Sequence, residues 1–129
     1  PTGPAFEGAQ ISSGQRAAPG AIERIRIHPE TLEPRFRVIG VEPWSDEEGF
    51  DEAVASTGIT GICGSGIIEV LGEMYLTGII TEDGEVNGAK ASQSPRIEAD
   101  GRTFRYRISD QVTVTQNDVR AIQSSARAR

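Results

Sequence analysis

A glycine-rich loop that runs into a helical pattern is the part of the sequence best suited to chemistry. Gly61, Gly64, Ser65 and Gly66 lie in this loop, and an apolar periodic segment begins at Ile67. Glycine lets the backbone approach a ligand closely, and the free N–H groups and positive dipole end of a first helical turn favour an anion. The loop is therefore either a phosphate or nucleotide contact or a plain structural turn.

Cys63 belongs to the same loop, where a turn between a strand and a helix could present it as a nucleophile. Such a nucleophile also needs a base, and nothing in the sequence places the only histidine, His28, near it. A small cysteine hydrolase therefore competes with the simpler interpretation of a buried thiol. Ser65 is open to two interpretations as well, because its hydroxyl could bind a phosphate or cap the helix.

A second glycine-flanked polar residue is Glu7, which precedes Gly8 near the start of the chain. A carboxylate in this setting suits a contact with a ribose or with a water on a metal ion. A surface carboxylate in a turn is the alternative, because turns at the surface favour acidic residues beside glycine. Both interpretations of Glu7 stay open.

Composition excludes several classes of function. The chain has 129 residues, enough for one domain, and its formal net charge of −6 disfavours nucleic acid or an anionic membrane as partner. No apolar run reaches the roughly 20 residues that span a bilayer, and no secretory leader is visible, so we expect a cytoplasmic protein. One cysteine and one histidine cannot form a disulfide framework or a Cys/His zinc site, and we expect no metal site.

Two segments with period-two alternation predict antiparallel hairpins. In the first, Ala21–Ile27 and Arg35–Ile39 flank a turn bounded by prolines, with isoleucines and arginines alternating. In the second, residues 95–99 and 102–108 flank an Asp-Gly pair, which supplies the positive φ of a tight turn. With two principal helices and further short strands, the hairpins predict an α+β fold.

The first principal helix follows the glycine-rich loop. Apolar residues at positions 67, 68, 71, 74 and 75 have helical spacing, which predicts Glu69 and Glu73 on the opposite, polar side. Gly78 is placed as a C-terminal stop. Gly72 weakens the middle of the helix, so we expect a close neighbour that needs the missing side chain.

The second principal helix is predicted to begin at Thr115, which forms a capping-box-like pattern with Asp118 after a short strand at 111–114. The acidic segment within residues 40–57 predicts a surface loop held down by Trp44 and Phe50. Its carboxylates are either solvated or form a docking patch for another protein.

Four blocks in the sequence carry a resemblance to one family: GPAFEGA at 3–9, GQRA with PGAIE at 14–23, GICGSG at 61–66 and VTQNDVR at 114–120. In order and spacing they resemble the C-terminal ATPase-type domain of reductive activators of corrinoid proteins, over essentially all of the chain. Those are long proteins with an N-terminal [2Fe–2S] ferredoxin domain and a C-terminal domain of the acetate kinase, sugar kinase, Hsp70 and actin superfamily. The resemblance implies a partial actin-like, RNase H-like ATPase subdomain.

The resemblance also implies a mechanism. An electron from the iron–sulfur cluster would return the cob(II)alamin of a partner corrinoid protein to cob(I)alamin, with ATP and Mg²⁺ supporting the reduction. The loop residues at the nucleotide phosphates would be Gly61, Gly64, Ser65 and Gly66. The same cleft would be lined by Gly3, Glu7 and Gly8. The acidic loop is a candidate surface for the corrinoid protein.

Several superfamily motifs have no counterpart here, namely the Asp-Gly-Thr phosphate loop, the second acidic phosphate strand, the Gly-Gly adenosine motif and the ferredoxin cysteines. The chain also starts at Pro1 without an initiator Met and ends in a polar segment after Gln123. We therefore expect residues 1–129 to be a single-domain fragment of a larger ATPase-type domain. It would have no catalytic residue of its own, would bind ATP weakly or not at all, and would self-associate through exposed apolar surface.

An alternative hypothesis, from a different class of function, is that the chain is a non-catalytic protein-interaction module. Its acidic loop and the edges of its hairpins would then recruit another protein. Flanking sequence separates the two hypotheses, because a ferredoxin cysteine cluster upstream and an adenosine motif downstream are expected only for the activator.

Overall fold

The computed structural model describes residues 11–127 as two small sheets and three α-helices. In chain order the elements are β1 (Ala21–Ile27), β2 (Pro34–Val38), α1 (Phe50–Val54), β3 (Gly61–Ile62), α2 (Gly64–Leu76), a 3₁₀ helix (Gly88–Ser92), β4 (Ile97–Asp100), β5 (Thr103–Arg107), β6 (Thr113–Val114) and α3 (Gln116–Arg127). The first sheet has the strand order β2-β1-β3 and the second has the order β4-β5-β6. The predicted α+β class is confirmed.

The first predicted hairpin is present as strands β1 and β2. They pair antiparallel with Ile25 opposite Phe36, and the buried isoleucines alternate with arginines as the sequence predicts. The turn between them holds Leu32 at a φ of 61°, a left-handed conformation that is unfavourable for a side chain of this size. Tyr106 of the second sheet donates its hydroxyl hydrogen to the Leu32 carbonyl at 2.7 Å, so this turn is fastened to the second sheet.

The edge of β1 opposite β2 is covered first by a short strand and then by helix α2. Strand β3 runs parallel to β1 but pairs only with Ala21 and Ile22. Beyond that point, the amide of Ile25 donates to Glu69 Oε1 at 3.0 Å and the amide of Ile27 donates to Glu73 Oε1 at 2.8 Å. The two carboxylates of α2 therefore satisfy backbone donors that an edge strand would leave open.

The orientation of α2 differs from the predicted one. The core face consists of Ile67, Val70 and Met74, whereas Ile68 and Tyr75, which the sequence pattern placed in the core, are exposed. The helix is rotated because the glutamates bind the edge of β1. The predicted end of α2 is confirmed, since Gly78 follows the last turn with a φ of 81°.

The expected close neighbour of Gly72 is absent from the described part of the chain. A Cβ atom built at Gly72 meets nothing within 4 Å. The side chain that glycine lacks is therefore not required for packing among residues 11–127.

The second predicted hairpin is present as β4 and β5, and Gly101 has a φ of 63° in its turn. Phe50 of the acidic loop is buried and packs edge-on against Phe36 with ring centroids 5.9 Å apart, as an anchoring role predicts. The same loop contains the short helix α1, which was not predicted. The core that joins both sheets and the helices includes Ile22, Phe36, Ile67, Met74, Tyr106, Ile108 and Val119.

Candidate functional site

The glycine-rich loop forms a strand, a turn and a helix start. The amide of Ile62 donates to the Ser13 carbonyl at 2.9 Å, and the amide of Cys63 donates to the Ile22 carbonyl at 3.1 Å. The first hydrogen bond inside α2 runs from Ile67 to the Cys63 carbonyl at 2.9 Å. The amides that precede it, at Gly64, Ser65 and Gly66, therefore form the open first turn of the helix.

Two of the four predicted loop residues have clear packing roles. A Cβ atom at Gly61 would lie 2.7 Å from the Ser13 carbonyl oxygen. A Cβ atom at Gly66 would collide with the Ile22 carbonyl oxygen, because α2 approaches β1 closely at this point. Glycine is thus required at both positions to bring the start of α2 against its neighbours.

The other two loop residues are accessible. Gly64 is half-buried and Ser65 is exposed. The Ser65 hydroxyl donates to the Glu23 carbonyl at 3.0 Å, so of the two interpretations of Ser65 the helix cap is wrong. The residue at the N-cap position, Cys63, makes no side-chain capping bond either. Among residues 11–127, no side chain caps the accessible end of α2, so its first turn has the unpaired N–H donors that favour an anion.

The Cys63 thiol does not have the surroundings of a nucleophile. Cys63 is buried, and its Sγ atom donates to the Ile22 carbonyl at 3.5 Å. His28 follows the far end of β1, six residues beyond Ile22, which corresponds to roughly 20 Å of extended strand. The structure supports the buried-thiol interpretation and does not bring His28 to the thiol.

A segment that sequence reasoning did not assign to the site, residues 12–15, lies on the other side of β3. Gly14 forms a parallel bridge with Ile62, and the Gln15 amide donates to the Ile62 carbonyl at 2.9 Å. This segment is too short to show periodicity. Its place in the family-like block at 14–23 was the one signal that could have pointed to it.

The same segment is fastened to α3 by Asp118, which is 4% exposed. The Asp118 carboxylate accepts from the Ser12 amide at 3.0 Å, the Ser12 hydroxyl at 3.1 Å and the Thr115 amide at 2.9 Å. The Asp118 amide donates in turn to Thr115 Oγ1 at 3.1 Å, which confirms the predicted capping box. The described parts of three family-like blocks, at 14–23, 61–66 and 114–120, therefore meet around β3.

The acidic loop lies beside the arginines of the first hairpin. The guanidinium groups of Arg24 and Arg35 lie over the Trp44 ring, at 5.5 and 4.3 Å from its centroid. Asp46 accepts a hydrogen bond from Arg35 at 2.9 Å. Further carboxylates of the loop face solvent, at Glu42, Glu48, Asp51 and Glu52.

Three predicted site residues, Gly3, Glu7 and Gly8, lie outside the described residues. Within residues 11–127, no group of three or more His, Cys, Asp and Glu side chains is placed to hold a metal ion. None of the helices in that range is long and apolar enough to cross a membrane.

An open helix start behind a glycine-rich turn has the geometry of an anion-binding site. The chain belongs to the family described as the C-terminal domain of RACo, the ASKHA domain, which matches residues 1–128. This finding confirms the family resemblance seen in the sequence.

Two similar proteins are much longer than this chain. One is the corrinoid activation enzyme RamQ of Eubacterium limosum, which is 30% identical over 134 aligned positions, covering 94% of this chain and 20% of that protein. A solved structure described as a reductive activator for corrinoid, iron-sulfur protein has a TM-score of 0.71 and 27% identity, covering 93% of this chain and 18% of its own. The chain thus spans about a fifth of the length of these relatives.

Proposed function

We propose that this chain is the nucleotide-contacting part of an ATP-dependent reductive activator of a corrinoid protein. The observation that carries the proposal is the open first turn of α2 at Gly64 and Ser65, with Gly66 behind them against β1. These backbone amides fit a phosphate, because helix N-termini combine free N–H donors with the positive end of the dipole. Membership of the ASKHA family supports the same ligand class.

In the longer protein, the proposed reaction is the transfer of one electron to cob(II)alamin held by a partner corrinoid protein, which yields cob(I)alamin. ATP with Mg²⁺ would supply free energy for this reduction when bound. The electron donor is proposed to be a [2Fe–2S] domain outside residues 1–129, since a cluster of this type needs four ligands and the chain has one cysteine, which is buried. The reaction is proposed to take place in the cytoplasm, and the isolated chain to be inactive.

The exposed carboxylates at Glu42, Glu48, Asp51 and Glu52 support the acidic loop as the contact surface for the corrinoid protein. Charged surfaces of this kind accelerate association with a partner of opposite charge. The isolated chain is also proposed to self-associate weakly, because α2 exposes large apolar side chains. The competing hypothesis is a non-catalytic interaction module that uses the same acidic loop and the hairpin edges.

Calorimetric titration of Mg-ATP into the full-length activator tests the proposal. A Gly64→Val variant should bind ATP at least about tenfold more weakly, because the added side chain obstructs the approach of a phosphate to the first turn of α2. The matched control is Gly101→Asn, in a hairpin turn whose φ of 63° asparagine tolerates. Far-ultraviolet circular dichroism should show that both variants fold.

Equal ATP affinity in the wild type and in folded Gly64→Val would refute the proposed nucleotide contact. If the full-length protein binds no Mg-ATP at all but still binds a corrinoid protein, the interaction-module hypothesis replaces it. In that case a charge-reversing variant of Asp51 and Glu52 should abolish the remaining interaction, because both carboxylates face solvent.

A further inference from the structure

The solvent side of α2 carries no charged side chain. Both acidic residues of the helix, Glu69 and Glu73, bind the edge of β1. Beyond the first turn, where Ser65 is exposed, the outer side of α2 consists of Ile68, Gly72, Tyr75 and Leu76, which we call the α2 outer face. The side chains of Ile68, Tyr75 and Leu76 are 58%, 41% and 82% exposed. A helix that is apolar on its outer side as well as on its core side is expected to be buried on both.

Gly72 gives this face a specific shape. It lies in the interior of a 13-residue helix, where glycine is less favourable than alanine, and no described atom occupies the space of its missing side chain. Neighbouring Tyr75 is held in place, because its hydroxyl accepts a hydrogen bond from Gln123 at 2.6 Å. The face is thus a shallow notch at Gly72 between large apolar side chains, which suits the close crossing of a second helix.

We propose that the α2 outer face is covered, in the full-length protein, by an apolar helix from outside residues 1–129 of the same polypeptide, which crosses at Gly72. The inference rests on the proposed function only in taking the chain as part of a longer activator. The relatives are about five times longer than the region they share with this chain, so such a segment has ample sequence to come from.

The size and chemistry of the face favour this occupant over a second copy of the chain. Three exposed side chains amount to an apolar patch on the order of 400 Å². A stable dimer needs about 800 Å² from each partner. A helix of the same polypeptide needs less, because the covalent connection gives it a high effective concentration. The face itself carries no charged side chain that could match a charged partner surface.

Site-specific photo-crosslinking in the full-length protein tests the proposal. A benzoylphenylalanine at position 76 replaces a side chain that is 82% exposed, so it should not disturb the fold. The control carries the same group at Arg102, which is exposed in the turn of the second hairpin. Mass spectrometry should find a crosslink from position 76 to a peptide outside residues 1–129, and no such crosslink from position 102.

Mixing isotopically light and heavy protein separates crosslinks within one polypeptide from those between copies. Adding Gly72→Leu should reduce the intramolecular crosslink several-fold, whereas Gly72→Ala should reduce it less, because only leucine fills the notch. Crosslinks between copies, crosslinks confined to residues 1–129, or none at all would overturn the proposal. This readout does not involve ATP, so a failure of the nucleotide proposal leaves it unchanged.

Discussion

Replacing Glu69 tests whether carboxylates fasten α2 to the edge of β1. Glu69 Oε1 accepts from the Ile25 amide at 3.0 Å and from Arg26 at 2.9 Å, and Arg24 lies 3.2 Å from the same carboxylate. Burial by itself would raise the pKa of Glu69, but the hydrogen bonds from Ile25, Arg26 and Arg24 outweigh it and lower the pKa below the ordinary value of 4.5. The folded protein therefore stabilises the ionised form.

The loss of stability expected for Glu69→Ala follows from the three groups that bind the Glu69 carboxylate. The backbone bond to a charged acceptor contributes about 1.5–3 kcal/mol, and each partly exposed arginine pair adds about 0.5 kcal/mol. Allowing for solvent that replaces part of these bonds, Glu69→Ala should lower the free energy of unfolding by about 2–3 kcal/mol and the unfolding midpoint by about 10 °C. Glu69→Gln keeps an oxygen for the Ile25 amide and should cost only about 1 kcal/mol.

The pH dependence has a definite sign. A carboxyl group whose pKa is lower in the folded state contributes stability above its unfolded pKa and loses it as the pH falls through the folded value. The difference in stability between wild type and Glu69→Gln should therefore be full at neutral pH and shrink below about pH 4.5.

Urea denaturation across this pH range measures the effect, and hydrogen exchange should show faster exchange of the Ile25 amide in Glu69→Ala. Glu48→Ala, at an exposed position of the acidic loop, is the control. Glu69 does not hold α2 to β1 if Glu69→Ala is no more destabilising than Glu48→Ala, or if the stability difference between wild type and Glu69→Gln does not change with pH.

Two further substitutions test the other long-range hydrogen bonds that stabilise the fold. Asp118→Ala leaves the Ser12 and Thr115 amides without their acceptor and should lower the free energy of unfolding, measured by urea denaturation, by about 3 kcal/mol. Asp118→Asn should lower it by about half as much. A decrease below about 1 kcal/mol for Asp118→Ala would contradict the assigned role. Tyr106→Phe removes the 2.7 Å bond to the Leu32 carbonyl and should cost about 1–2 kcal/mol. Burial raises the pKa of Tyr106, so an absorbance titration of the wild type should show a tyrosine that ionises only well above pH 10. The absence of such a late ionisation would count against the buried bond.

Local sequence rules predicted the features that depend on a few neighbouring residues. The capping box of α3 follows from the spacing of Thr115 and Asp118, because the two side chains satisfy each other's backbone amides. The turn at Gly101 and the helix stop at Gly78 follow from the same kind of argument, since both positions have a positive φ. Such features require no knowledge of the rest of the fold.

The features that sequence reasoning missed depend on distant partners. Helical periodicity placed Glu69 and Glu73 on a solvent side, because the pattern cannot distinguish water from the open edge of a strand as the partner of a carboxylate. The left-handed φ of Leu32 is stabilised by Tyr106, which is 74 positions away in the sequence. Neither contact leaves a local signature, which is why the rotation of α2 and the docking of the first turn emerged only from the structure.

The two main helices of this chain begin in contrasting ways, and the contrast bears on the proposed site. The first turn of α3 is capped by Thr115 and Asp118, whereas the N-cap of α2 is Cys63, whose buried thiol donates to the Ile22 carbonyl. Leaving a helix without a side-chain cap costs about 1 kcal/mol. Both helix starts lie in family-like blocks, but only that of α3 has a side-chain cap.

An uncapped α2 is understandable if a phosphate supplies the missing acceptor, because a bound anion satisfies the same amides that a serine or aspartate would. A Cys63→Ser variant tests this, since its hydroxyl could accept from the first-turn amides of α2. It should raise the unfolding midpoint of the nucleotide-free full-length protein and weaken Mg-ATP binding at the same time. A rise in stability without any loss of ATP affinity would mean that these amides are structural and that the phosphate lies elsewhere.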